Sequence, residues 1–244
     1  MKKIPSLFAR DMSTGRVTDA ITPGCEWALT DPSAVPTVKW DGTACLVRGG
    51  KLFKRYDSKR GKAPPPNFEP CQDPDPITGH HPGWIPVSDA PDDRWHREVV
   101  VSAESLPDGT YELVHPKVNG NPHRVFDPCL VPHGADVLEN ARVLDSFAAV
   151  RDYLAGSTFE GIVWHHPDGR MTKAKRVDFG FPWGSHHGAG IVGEEPEPLK
   201  PTEWIRIHQR LTGASEQEAL GKALVQCAER TRAECLAPRS GSEG

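Results

Sequence analysis

Apolar residues along this chain alternate with polar ones in short runs and follow a helical period in only a few places. Ala44-Cys45-Leu46-Val47-Arg48 and Lys51-Leu52-Phe53-Lys54-Arg55-Tyr56 flank Gly49-Gly50. A Gly-Gly pair supplies the positive φ that a two-residue turn needs, so the stretch from Val35 to Tyr56 reads as a β-hairpin. Glu98 to Ser102 and Thr110 to Val118 read as further strands, the second ended by Asn119-Gly120-Asn121-Pro122. Phe159 to Trp164 and Met171 to Val177 pattern as a second hairpin around Pro167-Asp168-Gly169. Ala141 to Leu154 has helical spacing, with Val143, Leu144, Phe147, Val150, Tyr153 and Leu154 on one side. Glu203 to Leu211 and Ser215 to Cys235 also read as helices, and Ser215 followed by Glu218 makes a capping box.

Hairpins alternating with few helices predict an α+β fold of mainly antiparallel sheets flanked by helices. From Gly61 to Asp93 prolines stand at positions 64, 65, 66, 70, 74, 76, 82, 86 and 91, so regular structure is not expected there. Gly83-Trp84-Ile85-Pro86-Val87 and Trp95 are too apolar for a plain linker, and part of this insert is expected to pack on the domain. The reading is one domain over 1–200 with a proline-rich insert at 61–97, a helical extension over 201–236 and a disordered tail over 237–244.

Composition narrows the class of partner. The chain has 244 residues, 37% of them hydrophobic and 25% charged, with a net charge of −4. That balance argues against nonspecific coating of nucleic acid and leaves room for a local basic groove. The 24 prolines and 23 glycines favour strands and loops over a helical bundle. No segment approaches the roughly 20 apolar residues that span a membrane, so no membrane partner is expected. The N-terminus has Lys2 and Lys3 but no apolar core after them, unlike a signal peptide. Six cysteines, with no Cys-x-x-Cys, then read as reduced thiols of a cytoplasmic protein.

The candidate chemistry begins at Val38-Lys39-Trp40-Asp41-Gly42-Thr43. A lysine at the end of an apolar run, followed by aspartate and glycine, is a position for a covalent nucleophile. Taken alone the pattern recurs by chance. An ammonium has no lone pair, so a nucleophilic lysine needs its pKa depressed by apolar walls or nearby cations. Val38 and Trp40 offer walls; Lys173, Lys175 and a metal would offer charge. Lys51 to Lys62 is a basic cluster in which Lys54 and Tyr56 share one strand face, Phe53 and Arg55 the other. One of Lys54 and Arg55 could reach phosphates, or the whole could be a solvated edge. Glu112, among Tyr111, Leu113 and Val114, needs a partner, which a ribose hydroxyl, a metal or an arginine would supply. Glu160 opens an apolar strand and is followed by Gly161, which suits a carboxylate aimed into a site. Mg²⁺ takes one or two carboxylates plus substrate phosphates, so Glu160 is adequate for it. Lys173 and Lys175, two apart on a strand, point the same way and call for an anion between them unless they form an exposed edge. The pairs His80-His81, His165-His166 and His186-His187 are not read as a zinc site, because neighbours on a strand face opposite ways and no cysteine has ligand spacing to them.

Lys39-x-Asp41-Gly42, the basic strand at Lys54-Arg55, Glu112, Glu160-Gly161-Ile162-Val163 and Lys173-x-Lys175 occur in that order. In this the chain resembles the covalent nucleotidyltransferase superfamily of polynucleotide ligases and mRNA capping enzymes, over about residues 26 to 183. Within it the chain is similar to the small ATP-dependent RNA ligases related to the vertebrate 5′-to-3′ RNA ligase. That likeness rests also on Phe53-Lys-Arg-Tyr56, Thr78-Gly-His-His-Pro-Gly-Trp-Ile-Pro-Val87, Val131-Pro-His-Gly134 and the run from Lys173 to Trp183.

The resemblance implies an ATP-grasp-like adenylation domain that uses ATP and Mg²⁺ (or Mn²⁺). It implies RNA with 5′-phosphate and 3′-hydroxyl ends as partner, joined through a lysyl-AMP at Lys39. Glu160 would hold the metal, and Lys173 and Lys175 would clamp the α-phosphate. Gly42 would sit beside the nucleotide, and Glu112 would contact the ribose or a metal. Arg55 or Lys54 would contact phosphate, Asp41 would orient Lys39 or the attacking hydroxyl, and Phe126 would stack on adenine. About 60 residues follow Trp183, and no OB barrel is expected in them. Arg206, His208, Arg210, Lys222, Arg230 and Arg232 on the C-terminal helices are candidates for the RNA grip. The alternatives are a DNA ligase, another adenylyltransferase, or a module that binds nucleotide or RNA without chemistry.

Overall fold

A computed structural model of the chain describes residues 1–184. The chain divides into two compact units, Met1–Glu194 and Glu195–Gly244, and every described residue belongs to the first. The helices expected after position 200, the tail at 237–244 and the pair His186-His187 lie outside the described residues.

The described unit is a mixed α/β fold in which every paired strand runs antiparallel to its neighbour. β1 (Phe8–Arg10) and β2 (Val17–Ile21) form a small ribbon. After a single helical turn, α1 (Trp27–Thr30), come β3 (Val35–Lys39), β4 (Thr43–Arg48) and β5 (Lys51–Ser58). β6 (Glu69–Pro70) and β7 (His81–Pro86) follow in the proline-rich insert. Two short helices, α2 (Arg94–Arg97) and α3 (Val100–Ala103), precede β8 (Gly109–Val114) and β9 (Cys129–Pro132). α4 (Phe147–Ala155) leads into the hairpin of β10 (Gly161–His165) and β11 (Met171–Lys175). One sheet has the order β6-β7-β5-β4-β8-β9, the other β11-β10-β3.

Each sheet buries one face in a core of its own. Ile162, Trp164 and Ala174 of the three-stranded sheet share a cluster with Val150 and Leu154 of α4, Leu7 and Phe8. Cys45, Val47, Leu52, Tyr111 and Leu113 of the six-stranded sheet share another with Val99 and Ala103. Because side chains alternate along a strand, the two remaining faces are free to meet over a cavity.

Three local expectations are corrected. Glu98 to Ser102 is not a strand: Glu98 and Val99 form a turn that leads into α3, and Val99 and Ala103 are buried four residues apart while Val101 is 77% exposed, a helical period hidden in a valine run. The proline-rich insert is partly regular, since β7 adds to the edge of β5 from Phe53↔Pro86 to Ser58↔His81, with prolines near its two ends. The helix expected from Ala141 begins at Phe147, because Ser146 is its N-cap and its Oγ accepts from the Ala149 N–H at 3.3 Å. No helix among the described residues is long and apolar enough to cross a membrane.

Candidate active site

The site forms where the chain passes from one large sheet to the other. β3 ends at Lys39 and β4 begins at Thr43, so Trp40-Asp41-Gly42 is the crossover. Gly42 lies hard against β8: a Cβ there would stand 2.1 Å from the Leu113 carbonyl oxygen. Asp41 is held from several sides. The Trp183 indole N–H donates to Oδ2 at 2.8 Å, and the Asn119 amide donates to Oδ1 at 2.7 Å and to the Gly42 carbonyl at 2.9 Å. The Asp41 N–H donates to Nε2 of His123 at 2.8 Å. His123 lies between Trp40 and Trp183, with ring centroids 4.6 and 5.4 Å away. Burial pushes the imidazole down to about 4, so it stays neutral and keeps the lone pair that this bond requires. Asp41 therefore fixes the turn that presents Lys39; its oxygens accept from Trp183 and Asn119.

A cavity of about 250 Å³ opens beside this crossover. Thr37, Lys39, Val163, His165, Met171 and Lys173 line it from the three-stranded sheet, all on the face opposite Ile162 and Trp164. Ala44, Arg55, Glu112 and His133 line it from the six-stranded sheet, and Met1 to Ile4 close one side. His165 thus points in while His166, its neighbour, pairs with Asp31 at 3.1 Å on the other side of the strand.

Lys39 forms an ion pair with Glu160 and donates to the Trp40 carbonyl at 3.5 Å. The lysine side chain is 22% exposed and the glutamate 11%, so the pair is largely out of water. Burial raises the Glu160 carboxyl above its ordinary range, against the pull of Lys39. Lys173 is lowered to about 8, first by burial and then by the charges of Lys39 and Lys175, with Glu160 and Asp178 opposing. Lys175, in register with Gly161 at the same end of the sheet, has its ammonium 4.0 Å from Asp178. Three lysines thus gather around one glutamate.

The structure divides the other site residues. Arg55 lines the cavity, donates to the Met1 carbonyl and stacks its guanidinium over Trp84 at 5.4 Å. Lys54, on the opposite face of β5, forms an ion pair with buried Asp93 under the short helices. Glu112 accepts from the Gly42 N–H at 3.0 Å and pairs with His133 Nε2 at 2.9 Å, which ties β8 to the crossover and to the end of β9. Phe126 is 55% exposed and does not line the cavity. No group of three or more His, Cys, Asp or Glu able to hold a metal occurs among the described residues. Asn119, His123, His133 and Trp183 had no role assigned from sequence. Asn119 carried a usable signal, because it precedes Gly120 and adopts φ 50, a conformation that asparagine tolerates. The other three are brought in by the fold alone.

Comparison with known proteins follows the same line. The family model of RNA ligase 1 matches residues 96–196, a span that includes Glu112, Glu160, Lys173 and Lys175 and begins after Lys39. RNA ligase 1 of Pongo abelii is 27% identical, over 62% of this chain and 69% of its own length. RNA ligase 1 of Mus musculus is 27% identical over 62% of this chain and 68% of its own. That of Danio rerio is 29% identical over 43% of this chain and 42% of its own. The chain is related to the RNA ligase 1 proteins.

Proposed function

We propose that the protein is an ATP-dependent RNA ligase, that its described unit is a nucleotidyltransferase adenylation domain, and that Lys39 is its covalent nucleophile. The observation that carries this is the Lys39–Glu160 ion pair at the mouth of a cavity that also receives Lys173. The neutral amine of Lys39 attacks the α-phosphorus of ATP. The P–N bond forms, the bond to the β-phosphate oxygen breaks and pyrophosphate leaves, while Lys39 gives up a proton. AMP then passes from Lys39 to the 5′-phosphate of an RNA strand: the P–N bond breaks, a pyrophosphate linkage forms, and Lys39 regains its proton. Attack by a 3′-hydroxyl on that activated phosphate joins the strands and releases AMP.

Positioning and charge supply most of the help such a transfer needs. Lys173 and Lys175 stand on the face of the sheet that carries Lys39 and suit the α-phosphate. Arg55 approaches from the opposite sheet and suits the outgoing phosphates. Thr37, Val163, Met171 and His165 continue the cavity away from Lys39, giving a largely apolar space for the nucleoside. Glu112 acts by holding Gly42 and His133 in place. A divalent metal, Mg²⁺ or Mn²⁺, fits Glu160: its carboxylate is buried, raised by that burial, and balanced by an ammonium that must become neutral to react. Such an ion would supply charge to the triphosphate and favour the neutral amine of Lys39.

The test is a joining assay. Nicked duplexes with 5′-phosphate and 3′-hydroxyl ends, in all-RNA and all-DNA versions, are incubated with the protein, ATP and Mg²⁺. Sealing of RNA that stops in Glu160→Gln supports the reading. Sealing of DNA with no action on RNA contradicts it.

A further inference from the structure

Beyond the cavity, one end of the six-stranded sheet is basic in a way the catalytic residues do not use. β5 runs from Arg55 in the cavity to Ser58 and then turns through Lys59, Arg60 and Lys62, a path of about 10 Å to Ser58 at the usual strand rise. This turn is built. Buried Ser58 donates its hydroxyl to the Lys62 carbonyl at 3.1 Å, and the Lys62 N–H donates to the Lys59 carbonyl at 3.0 Å. Gly79, at φ +69, lies under the stem of Arg60; a Cβ there would stand 2.7 Å from that stem.

Two of the acids nearby accept hydrogen bonds from their surroundings, and a third, exposed Asp73, lines the neighbouring groove. Asp75 accepts from the N–H groups of Ile77 and Thr78 at 3.0 and 2.8 Å, and Asp57 pairs with His80 at 2.8 Å. Lys59, Arg60 and Lys62 are exposed and form no ion pair among the described residues. A groove along Pro74, Asp75, Pro76 and His81 adjoins this turn, and the same residues border a second groove that reaches Lys2 and Lys3. Lys2 and Lys3 in turn line the cavity of Lys39. A track of adjoining grooves therefore leads from the cavity of Lys39 to the tip of β5, with exposed lysines and an arginine at its two ends and Asp73 and Asp75 between them, on a chain whose net charge is −4.

We infer that this track is the seat of the RNA strand whose 5′-phosphate receives AMP, with Lys2 and Lys3 next to the reacting end and Lys59, Arg60 and Lys62 on phosphates farther along. The inference rests on the ligase reading above and goes beyond it by placing the grip on the adenylation domain. A polyanion fits here because five exposed basic side chains, Lys2, Lys3, Lys59, Arg60 and Lys62, flank the grooves against the two carboxylates of Asp73 and Asp75. Phosphate contacts of this kind carry affinity without sequence preference and make binding fall with salt, by about 0.7 in log affinity per log salt for each contact to a single strand.

The experiment compares full-length protein with the variant Lys59→Glu/Arg60→Glu/Lys62→Glu, whose changes are all at exposed positions. Lysyl-AMP formation is read by intact mass, and binding of a 5′-phosphorylated RNA is read across a salt series. AMP transfer to that RNA is read from single turnover of pre-adenylylated protein. The inference expects adduct formation within about twofold of the parent. It also expects RNA affinity and transfer to fall at least about tenfold, with a shallower salt slope. A second variant, Lys59→Gln/Arg60→Gln/Lys62→Gln, removes charge without reversing it and should lie between the two. Unchanged RNA affinity, transfer and salt slope in a variant that forms its adduct would overturn the inference and leave the ligase reading standing. A parent protein that forms no adduct removes the ligase reading and this inference with it.

Discussion

Lys173 shows how the fold sets the chemistry of single groups. Its ammonium is held at about 8 by burial, Lys39 and Lys175, well below the 10.5 of a free lysine. An anion among these lysines would favour the charged form and raise that value again. Binding of ATP without metal near pH about 8.5 should therefore take up protons, which calorimetry in two buffers of different ionisation enthalpy measures. Lys173→Met should abolish most of the uptake; equal uptake in the variant would place the titrating group elsewhere. His123 gives the opposite pH window. Its folded value of about 4 lies below the 6.5 of the unfolded chain, so between those values the unfolded state binds more protons and stability falls as the pH falls. Denaturant unfolding of His123→Asn should show a smaller loss between pH 6.5 and pH 4 than the parent. At this scale the sequence singles out Lys39, Glu160 and Lys173, and the fold brings them together, Lys39 in an ion pair with Glu160 and Lys173 in the same cavity. The sequence was not readable for the partners of Asp41. Trp183 lies 142 positions away and Asn119 78 positions away, and only the fold brings them together.

At the scale of elements, the hairpins were legible because period-two alternation around Gly49-Gly50 and Pro167-Asp168-Gly169 is a local signal. The short strands β1, β2 and β9 were not, since three to five residues hold too little pattern to separate strand from loop. α3 reads as a strand from sequence because it is only four residues long and three valines dominate the window. The insert was misjudged for another reason: β7 lies between β5 and the two-residue β6, and its prolines, Pro82 and Pro86, stand near its two ends. α4 is the support under the three-stranded sheet, and its Leu154 is fully buried among Ile162, Trp164 and Ala174. Leu154→Ala should cost about 2–5 kcal/mol in urea unfolding, against less than about 0.5 kcal/mol for the exposed Val143→Ala. Equal effects at the two positions would mean that α4 does not carry the sheet.

Across the described unit as a whole, two sheets with separate cores meet over a cavity, and the crossover between them carries Lys39. That arrangement explains why Asp41 and Gly42 follow Lys39: one is clamped by the turn's neighbours and the other lets β8 pass. It also places Glu160, just before β10, and Lys173, on β11 beyond it, on the sheet that carries Lys39, with Glu160 in an ion pair with that lysine. The central claim is that Lys39 carries the nucleotide. Protein treated with pyrophosphate to strip any bound AMP, then incubated with ATP and Mg²⁺, should gain the mass of one AMP by intact-mass spectrometry, with the adduct mapped to Lys39 and lost in Lys39→Ala. Absence of any adduct in the stripped parent, or an adduct of the same yield in Lys39→Ala, would contradict the account.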